Sequence, residues 1–380
     1  MNSPICEMLG IEFPLLAFTH CRDVVVAVSK AGGMGVLGAV SLPPDQLEEE
    51  LAWIDAHIDG KPYGVDLIVP NKFEGKNDAF DPDAIRAAVP EGHKDFAAEI
   101  LKQYDIDADD IRNPGSNSLN FAQNLRDDGA ASSLEVCFRH PIRLIANALG
   151  VPPQIMLDLG KKHDVAVAAL VGAREHAVRQ VEAGVDILVV AGGEAGGHCG
   201  DVSTIVLVPE VHEAVQAMGA STPILAAGGI TTGHQMAGAM AMGAAGAWCG
   251  SVWLTTAEAE TNPDEKEKML AASSRDTVRS RSRTGKHSRQ LRSPWTDAWE
   301  AKSAPEPLAM PLQGLVSEPA LGKVDKLSQS GHDGAKQLAT YWVGQGVGLM
   351  NQSMSAGAVV QQFKEDFLTA YERLTGYVRG

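Results

Sequence analysis

The chain has 380 residues, 44% of them apolar and 21% charged, which is ample for a large core; its formal net charge of -16 argues against nucleic acid or an anionic membrane as a main partner. One barrel of about 250 residues with additions fits this length as well as two domains do. Five scattered cysteines (Cys6, Cys21, Cys137, Cys199, Cys249) form no CxxC pair, so neither a disulfide framework nor a zinc site is expected, and a reducing cytoplasm is. The first residues show no basic segment followed by an apolar run, and no stretch of 18 uncharged apolar residues reads as a membrane span.

Residues 13–18 (Phe-Pro-Leu-Leu-Ala-Phe) read as a strand and 23–31 as a helix with Val24, Ala27 and Val28 on one face. Gly33, Gly35 and Gly38 satisfy a GxGxxG pattern. A helix precedes it and residues 34–37 are strand-like, whereas the dinucleotide fingerprint needs a strand before and a helix within. A helix is predicted over 44–58, then a strand over 63–69 that contains Asp66. A carboxylate in a buried strand is costly unless partnered, so Asp66 either caps a neighbouring backbone group or faces a ligand.

Residues 73–128 are the least regular: helical patterns at 81–89 and 95–104, an acidic run at 105–110 that reads as a solvated face, and a turn-rich stretch at 113–120. This is too long for a barrel connection and reads as a helical insertion, about 73–135.

Further strands are predicted at 143–149, 165–171, 186–190, 223–227 and 245–250. Between them lie helices from Pro152-Pro153 to 163 and at 173–183, 209–218 and 234–242. Eight strands alternating with helices predict an α/β fold, a closed TIM (β/α)8 barrel, over an open doubly wound sheet.

Past residue 255 the rhythm stops. A helix is expected at 263–274 and a terminal amphipathic helix at 356–374, with a Pro- and Trp-rich stretch at 295–311 wrapping the barrel. Residues 275–292 hold seven cations against one acid, Asp276. Such a strip either binds an anionic substrate or is neutralised by the protein's own carboxylates. The expected organisation is a barrel over 1–260, carrying the insertion, and a C-terminal helical extension over 261–380 packed on it.

The stretch with most chemical content is 191–200, Ala-Gly-Gly-Glu-Ala-Gly-Gly-His-Cys-Gly. Five glycines leave the main chain bare enough to approach a planar ligand, and one imidazole, His198, stands among them at the carboxyl end of a strand. The loops after the seventh and eighth strands are Gly228-Gly229-Ile230 and Gly250-Ser251; bare amides there suit a phosphate, and Ser251 adds a hydroxyl. The turn Ala17-Phe18-Thr19 ends the first strand and suits the edge of a flat ring, with His20 as a second candidate acid or base. His57, His93, His163, His176, His212, His287 and His332 read as surface residues. No metal-ligand spacing, P-loop or GxSxG elbow is present.

The run 193–200 resembles the signature of nitronate monooxygenases, formerly called 2-nitropropane dioxygenases; 223–230 and 250–259 are similar to that family's next two barrel segments, and 31–37 and 63–67 fit its second and third strands. The resemblance covers most of 5–260 and, more loosely, 340–375. It implies a TIM barrel that binds FMN non-covalently, with His198 as catalytic base. The candidate cofactor contacts are then Ala17, Phe18, Thr19, Asp66, Ala191, Gly196, Gly197, Gly228, Gly229, Trp248, Cys249, Gly250 and Ser251. Asp66 stands where the family usually has Asn, Ala191 where it usually has Gln, and Phe18-Thr19 replace a Met-containing turn. The implied reaction is oxidation of alkyl nitronates or nitroalkanes with molecular oxygen by a candidate homodimer. Two alternatives remain: a flavin-dependent enoyl-thioester reductase using NAD(P)H, its basic strip holding a CoA or carrier-protein phosphate, and a non-flavin phosphate-binding barrel or idle binding protein.

Overall fold

The structure is a computed structural model and describes residues 1–69, 82–112 and 127–379. Eight parallel strands close into a barrel: β1 (Leu15–Thr19), β2 (Met34–Gly38), β3 (Gly64–Leu67), β4 (Leu144–Asn147), β5 (Ala166–Val171), β6 (Ile187–Ala191), β8 (Ile224–Ala227) and β9 (Gly246–Cys249). The last pairs with the first, Leu15 to Ala247 through Ala17 to Cys249. Each strand predicted from the sequence is present, and the fold is a TIM barrel.

Alternation along the strands sorts the side chains. Leu16, Met34, Val36, Leu144, Ile187, Val189 and Leu225 fill the barrel interior. Leu15, Val65, Val167, Leu188 and Val190 point outward and pack under the helices. The helix Pro4–Leu9, capped by Ser3, adds Ile5 and Leu9 to the interior cluster and closes the lower end. At the upper end some inward positions are small, Gly38, Ala146, Ala191 and Ala227, and others are Phe18, Asp66, Leu170 and Trp248.

The helix predicted from Pro209 begins earlier, at Thr204, and carries Pro209 inside it (Thr204–Ala217). Its start is set by a distant residue: Glu194 accepts from both the amide (2.8 Å) and the hydroxyl (2.9 Å) of Thr204. A carboxylate brought to a helix N-terminus from the preceding loop acts as a cap.

The insertion and the extension share a core. Ile100 and Leu101 of helix Glu91–Lys102 pack with Trp295 and Trp299 of helix Pro294–Glu300, and with Leu315, Val316, Leu321 and Val324 of helix Leu312–Gln329. That last helix was not predicted, because Gly314, Pro319 and Gly322 are poor helix formers; burial of its apolar face overrides propensity. Lys323 on this helix pairs with Asp107 and Asp110 of the acidic run. The turn-rich stretch at 113–120 lies outside the described residues.

The terminal helix Ala356–Arg379 lies over helices Arg22–Lys30 and Gly233–Ala241. The approach is close: a Cβ at Gly233 would sit 2.0 Å from the carbonyl oxygen of Phe363. The basic strip is a hairpin, β10 (Thr277–Ser280) and β11 (Ser288–Leu291), whose second strand pairs antiparallel with a two-residue strand, β7 (Gly197–His198). Among the described residues the five cysteines are unpaired, and no helix is long and apolar enough to cross a membrane.

Candidate functional site

The glycine-rich loop after β6 is fixed from several sides. Gly193 donates to Val202 (2.7 Å) and Ala195 to Gly192 (3.1 Å), which folds the loop on itself. Gln345 donates to the Glu194 carbonyl (2.9 Å), and Gly344 donates to the Ser251 hydroxyl (2.8 Å). The segment around Gly344 thus ties the loop after β6 to the loop after β9. Gly196 allows this contact, since a Cβ there would stand 2.8 Å from the Gly344 nitrogen. From the hairpin, Arg289 donates to the Gly193 carbonyl and Arg279 to the Cys199 carbonyl.

These contacts account for most of the basic strip. Arg279 pairs with Asp201, Arg281 with Glu306, Arg283 with Glu318 and Arg292 with Asp297. Arg275 and Lys286 are exposed, and among the described residues neither has a carboxylate within ion-pair distance. The strip is largely neutralised by the protein's own carboxylates, one of the two readings its sequence allowed; what the sequence did not reveal is that two of its arginines, Arg279 and Arg289, brace the histidine loop.

His198 pairs through its backbone with Ser288, and its Nε2 lies 2.8 Å from the hydroxyl of Thr284. The residue as a whole is exposed. Desolvation by the protein around it, reinforced by the nearby Lys286 charge, lowers its pKa to about 4. The imidazole is therefore neutral at pH 7, with one nitrogen able to accept a proton. His20 donates from Nδ1 to the Gly38 carbonyl (2.8 Å) and meets Phe18 edge-on. Desolvation lowers its pKa too, opposed in part by that carbonyl.

The remaining candidates gather at the same end of the barrel. Ala191, Ala227 and Trp248 are neighbours in register. Trp248 lies nearly parallel to Phe18, with ring centroids 6.2 Å apart. The side chains of Ala17 and Cys249 point to the helix layer, which leaves only their main chain for a ligand. The Thr19 hydroxyl is occupied by the Cys21 amide (3.1 Å). Gly228 (φ 102°) and Gly229 (φ 72°) take left-handed conformations. The amides of Gly228, Gly229, Gly250 and Ser251 make no hydrogen bond among the described residues, and the Ser251 hydroxyl, accepting from Gly344, keeps its hydrogen free to donate.

Asp66 is 1% exposed, and its Oδ1 has no hydrogen-bond partner. It caps no backbone group among the described residues. Burial pushes its pKa well above the carboxylate range, which favours the neutral acid, a group that can donate as well as accept.

Glu194 and Thr284 were not singled out from sequence, and Lys286 and Arg289 were read only as members of the basic strip. Glu194 carried one signal, a carboxylate inside a glycine loop; the others lie some 90 residues away, and only the fold brings them here. A further trio, Cys21, Asp23 and Glu260, brings three donor atoms within 4.8 Å of one another, although the Cys21 thiol is engaged with the Glu258 carbonyl (3.1 Å).

A barrel with an imidazole on the loop after its sixth strand and bare glycines after its seventh and eighth defines an α/β-barrel enzyme with its site at the carboxyl face. The family model described as "Nitronate monooxygenase" matches residues 2–366, and the chain belongs to that family. It is an oxidoreductase. A Mycobacterium tuberculosis protein named "Putative monooxygenase Rv1533" is 50% identical over 383 residues, covering 100% of both chains. The (3aS,4S,5R,7aS)-5-hydroxy-7a-methyl-1-oxo-octahydro-1H-indene-4-carboxyl-CoA dehydrogenase of Rhodococcus jostii is 35% identical over 295 residues, 77% of this chain and 66% of that one. The crystal structure of nitroalkane oxidase from Streptomyces ansochromogenes is 24% identical, covers 97% of this chain and 99% of its own, and has a TM-score of 0.78; it shares the fold.

Proposed function

We propose that this protein is an FMN-dependent enzyme that oxidises alkyl nitronates, and nitroalkanes after their deprotonation, with molecular oxygen. The observation that carries the reading is His198: a neutral imidazole on a braced loop at the barrel mouth, the loop that Gly344 ties to the segment after β9.

The residues present suit such a cofactor. The amides of Gly228, Gly229, Gly250 and Ser251 offer donors for its phosphate. The orphaned Asp66 carboxyl offers its ring a hydrogen bond. Bound FMN would supply the electron acceptor for the nitronate and the route from there to dioxygen. His198 would take the α-proton of a neutral nitroalkane. The Lys286 ammonium makes the ring a weaker base, yet the same charge stabilises the anion that proton removal creates. The unpaired thiols suit a reducing cytoplasm.

A second reading changes the substrate. The Rhodococcus relative is named for a carboxyl-CoA thioester, and the free cations Arg275 and Lys286 could meet a CoA phosphate. A visible spectrum of the purified protein, followed by oxygen uptake with nitronates, separates the readings. Yellow protein with nitronate-dependent uptake supports the first; NAD(P)H consumption with an enoyl thioester and no such uptake supports the second. A colourless protein that takes up no FMN contradicts both.

A further inference from the structure

The side chain hydrogen-bonded to His198 is that of Thr284, in the turn of the β10–β11 hairpin, and the chemistry above gives this residue no role. Thr284 Oγ1 lies 2.8 Å from His198 Nε2 and 3.3 Å from both the amide nitrogen and the carbonyl oxygen of Lys286. A hydroxyl has one hydrogen and two lone pairs. The amide can only donate to it and the carbonyl can only accept from it, so the main chain of Lys286 claims the hydrogen and one lone pair. With both of these bonds made, a lone pair is what remains for the ring, which then meets it with a hydrogen.

We infer that Thr284 holds His198 in the Nε2–H tautomer and so makes Nδ1 the proton-accepting nitrogen. Thr284 is a positioning residue, and its catalytic value rests on the reading of His198 as base.

Hydroxyls that close their own turn are common and carry no such meaning. What distinguishes this one is the third contact and the support behind it. The adjacent Arg283 is buried, donates to Glu318 (2.9 Å) and lies 4.1 Å over the Trp342 ring. Ser317 donates to the Arg283 carbonyl, Gln313 to the Ser282 carbonyl (2.9 Å), and Arg281 to the Gly285 carbonyl (2.9 Å). Gly285 takes φ 85°, with space for a Cβ denied by the Leu308 carbonyl at 2.0 Å. The hydroxyl is therefore held by helix Leu312–Gln329, and the ring by the pairing of β7 with β11. Nδ1 makes no hydrogen bond among the described residues.

The test is a long-range 1H–15N spectrum of the full chain labelled at histidine nitrogens, at neutral pH, with His198 assigned by its loss in His198→Gln. The expected spectrum shows a protonated Nε2 and a bare Nδ1, retained in Thr284→Ser and replaced by a tautomer mixture in Thr284→Val. In the Val variant kcat/KM for a neutral nitroalkane falls roughly 3–10-fold, the worth of one hydrogen bond, while turnover of preformed nitronate is unchanged. A wild-type ring protonated at Nδ1 overturns the inference, as does a Val variant with the wild-type spectrum. Should Thr284→Val fail to fold, the wild-type and Ser spectra decide. A tautomer that follows Thr284 in a protein unable to deprotonate any nitroalkane keeps the inference and removes the reading of His198 as base.

Discussion

Arg289 donates through Nε (3.0 Å) and Nη2 (2.8 Å) to the carbonyl oxygen of Gly193, so a residue of the C-terminal extension grips the loop that carries His198. A lysine cannot reproduce that fork. Arg289→Lys is expected to cost about 1–2 kcal/mol in denaturant melts, a charged hydrogen bond discounted for partial exposure. It should also speed amide exchange across 191–200. Exchange at the wild-type rate would show that the fork does not hold the loop.

Gly229 has φ 72°, and a Cβ there would lie 2.9 Å from the Cβ of Glu194. Gly229→Ala should therefore destabilise the protein by about 1–2 kcal/mol and weaken FMN binding, read from quenching of flavin fluorescence. Unchanged affinity would remove the loop after β8 from the cofactor cradle.

Asp66 gives a pH signature. Its pKa is raised in the folded state, so between the unfolded value and the folded one the native state holds a proton that the unfolded chain has lost. The stability this contributes is complete below the unfolded pKa and is lost as pH rises through the folded one. Relative to Asp66→Asn, the FMN-free protein should lose stability on going from acid to neutral pH, by at most about 1.4 kcal/mol per pH unit. Parallel stability curves for the two proteins would contradict this.

Lys286 is the charge that, after burial, lowers the His198 pKa to about 4. For a neutral nitroalkane, kcat/KM should be level near neutral pH and fall as pH drops through that value, because the base becomes protonated. In Lys286→Gln the acid limb should move up toward the ordinary imidazole value, about 6.5. A limb that stays in place would show that Lys286 does not act on the ring.

The barrel was legible because its strands are continuous apolar runs bounded by Gly or Pro, and a buried parallel strand can look like little else. The loop of His198 was legible for the opposite reason, its bareness. What holds that loop was not. Arg289 and Thr284 act from a hairpin whose charged sequence hides its strands, and the helix Leu312–Gln329 that anchors the hairpin contains Pro319. Asp66 was visible as an anomaly, but only the structure shows that it is buried, that its Oδ1 is unpartnered and that it caps no backbone group among the described residues. Local pattern reports elements; the bracing contacts span some 90 residues and depend on closure of the whole barrel.

The central claim is that His198 removes the proton. The direct measurement is the kinetics of His198→Ala with a neutral nitroalkane and with the same compound supplied as nitronate. The account predicts a protein that stays yellow and loses about 10²–10⁴-fold in kcat/KM for the neutral form, with a much smaller loss for the nitronate. Equal turnover of the neutral nitroalkane by the variant and the wild type would contradict it.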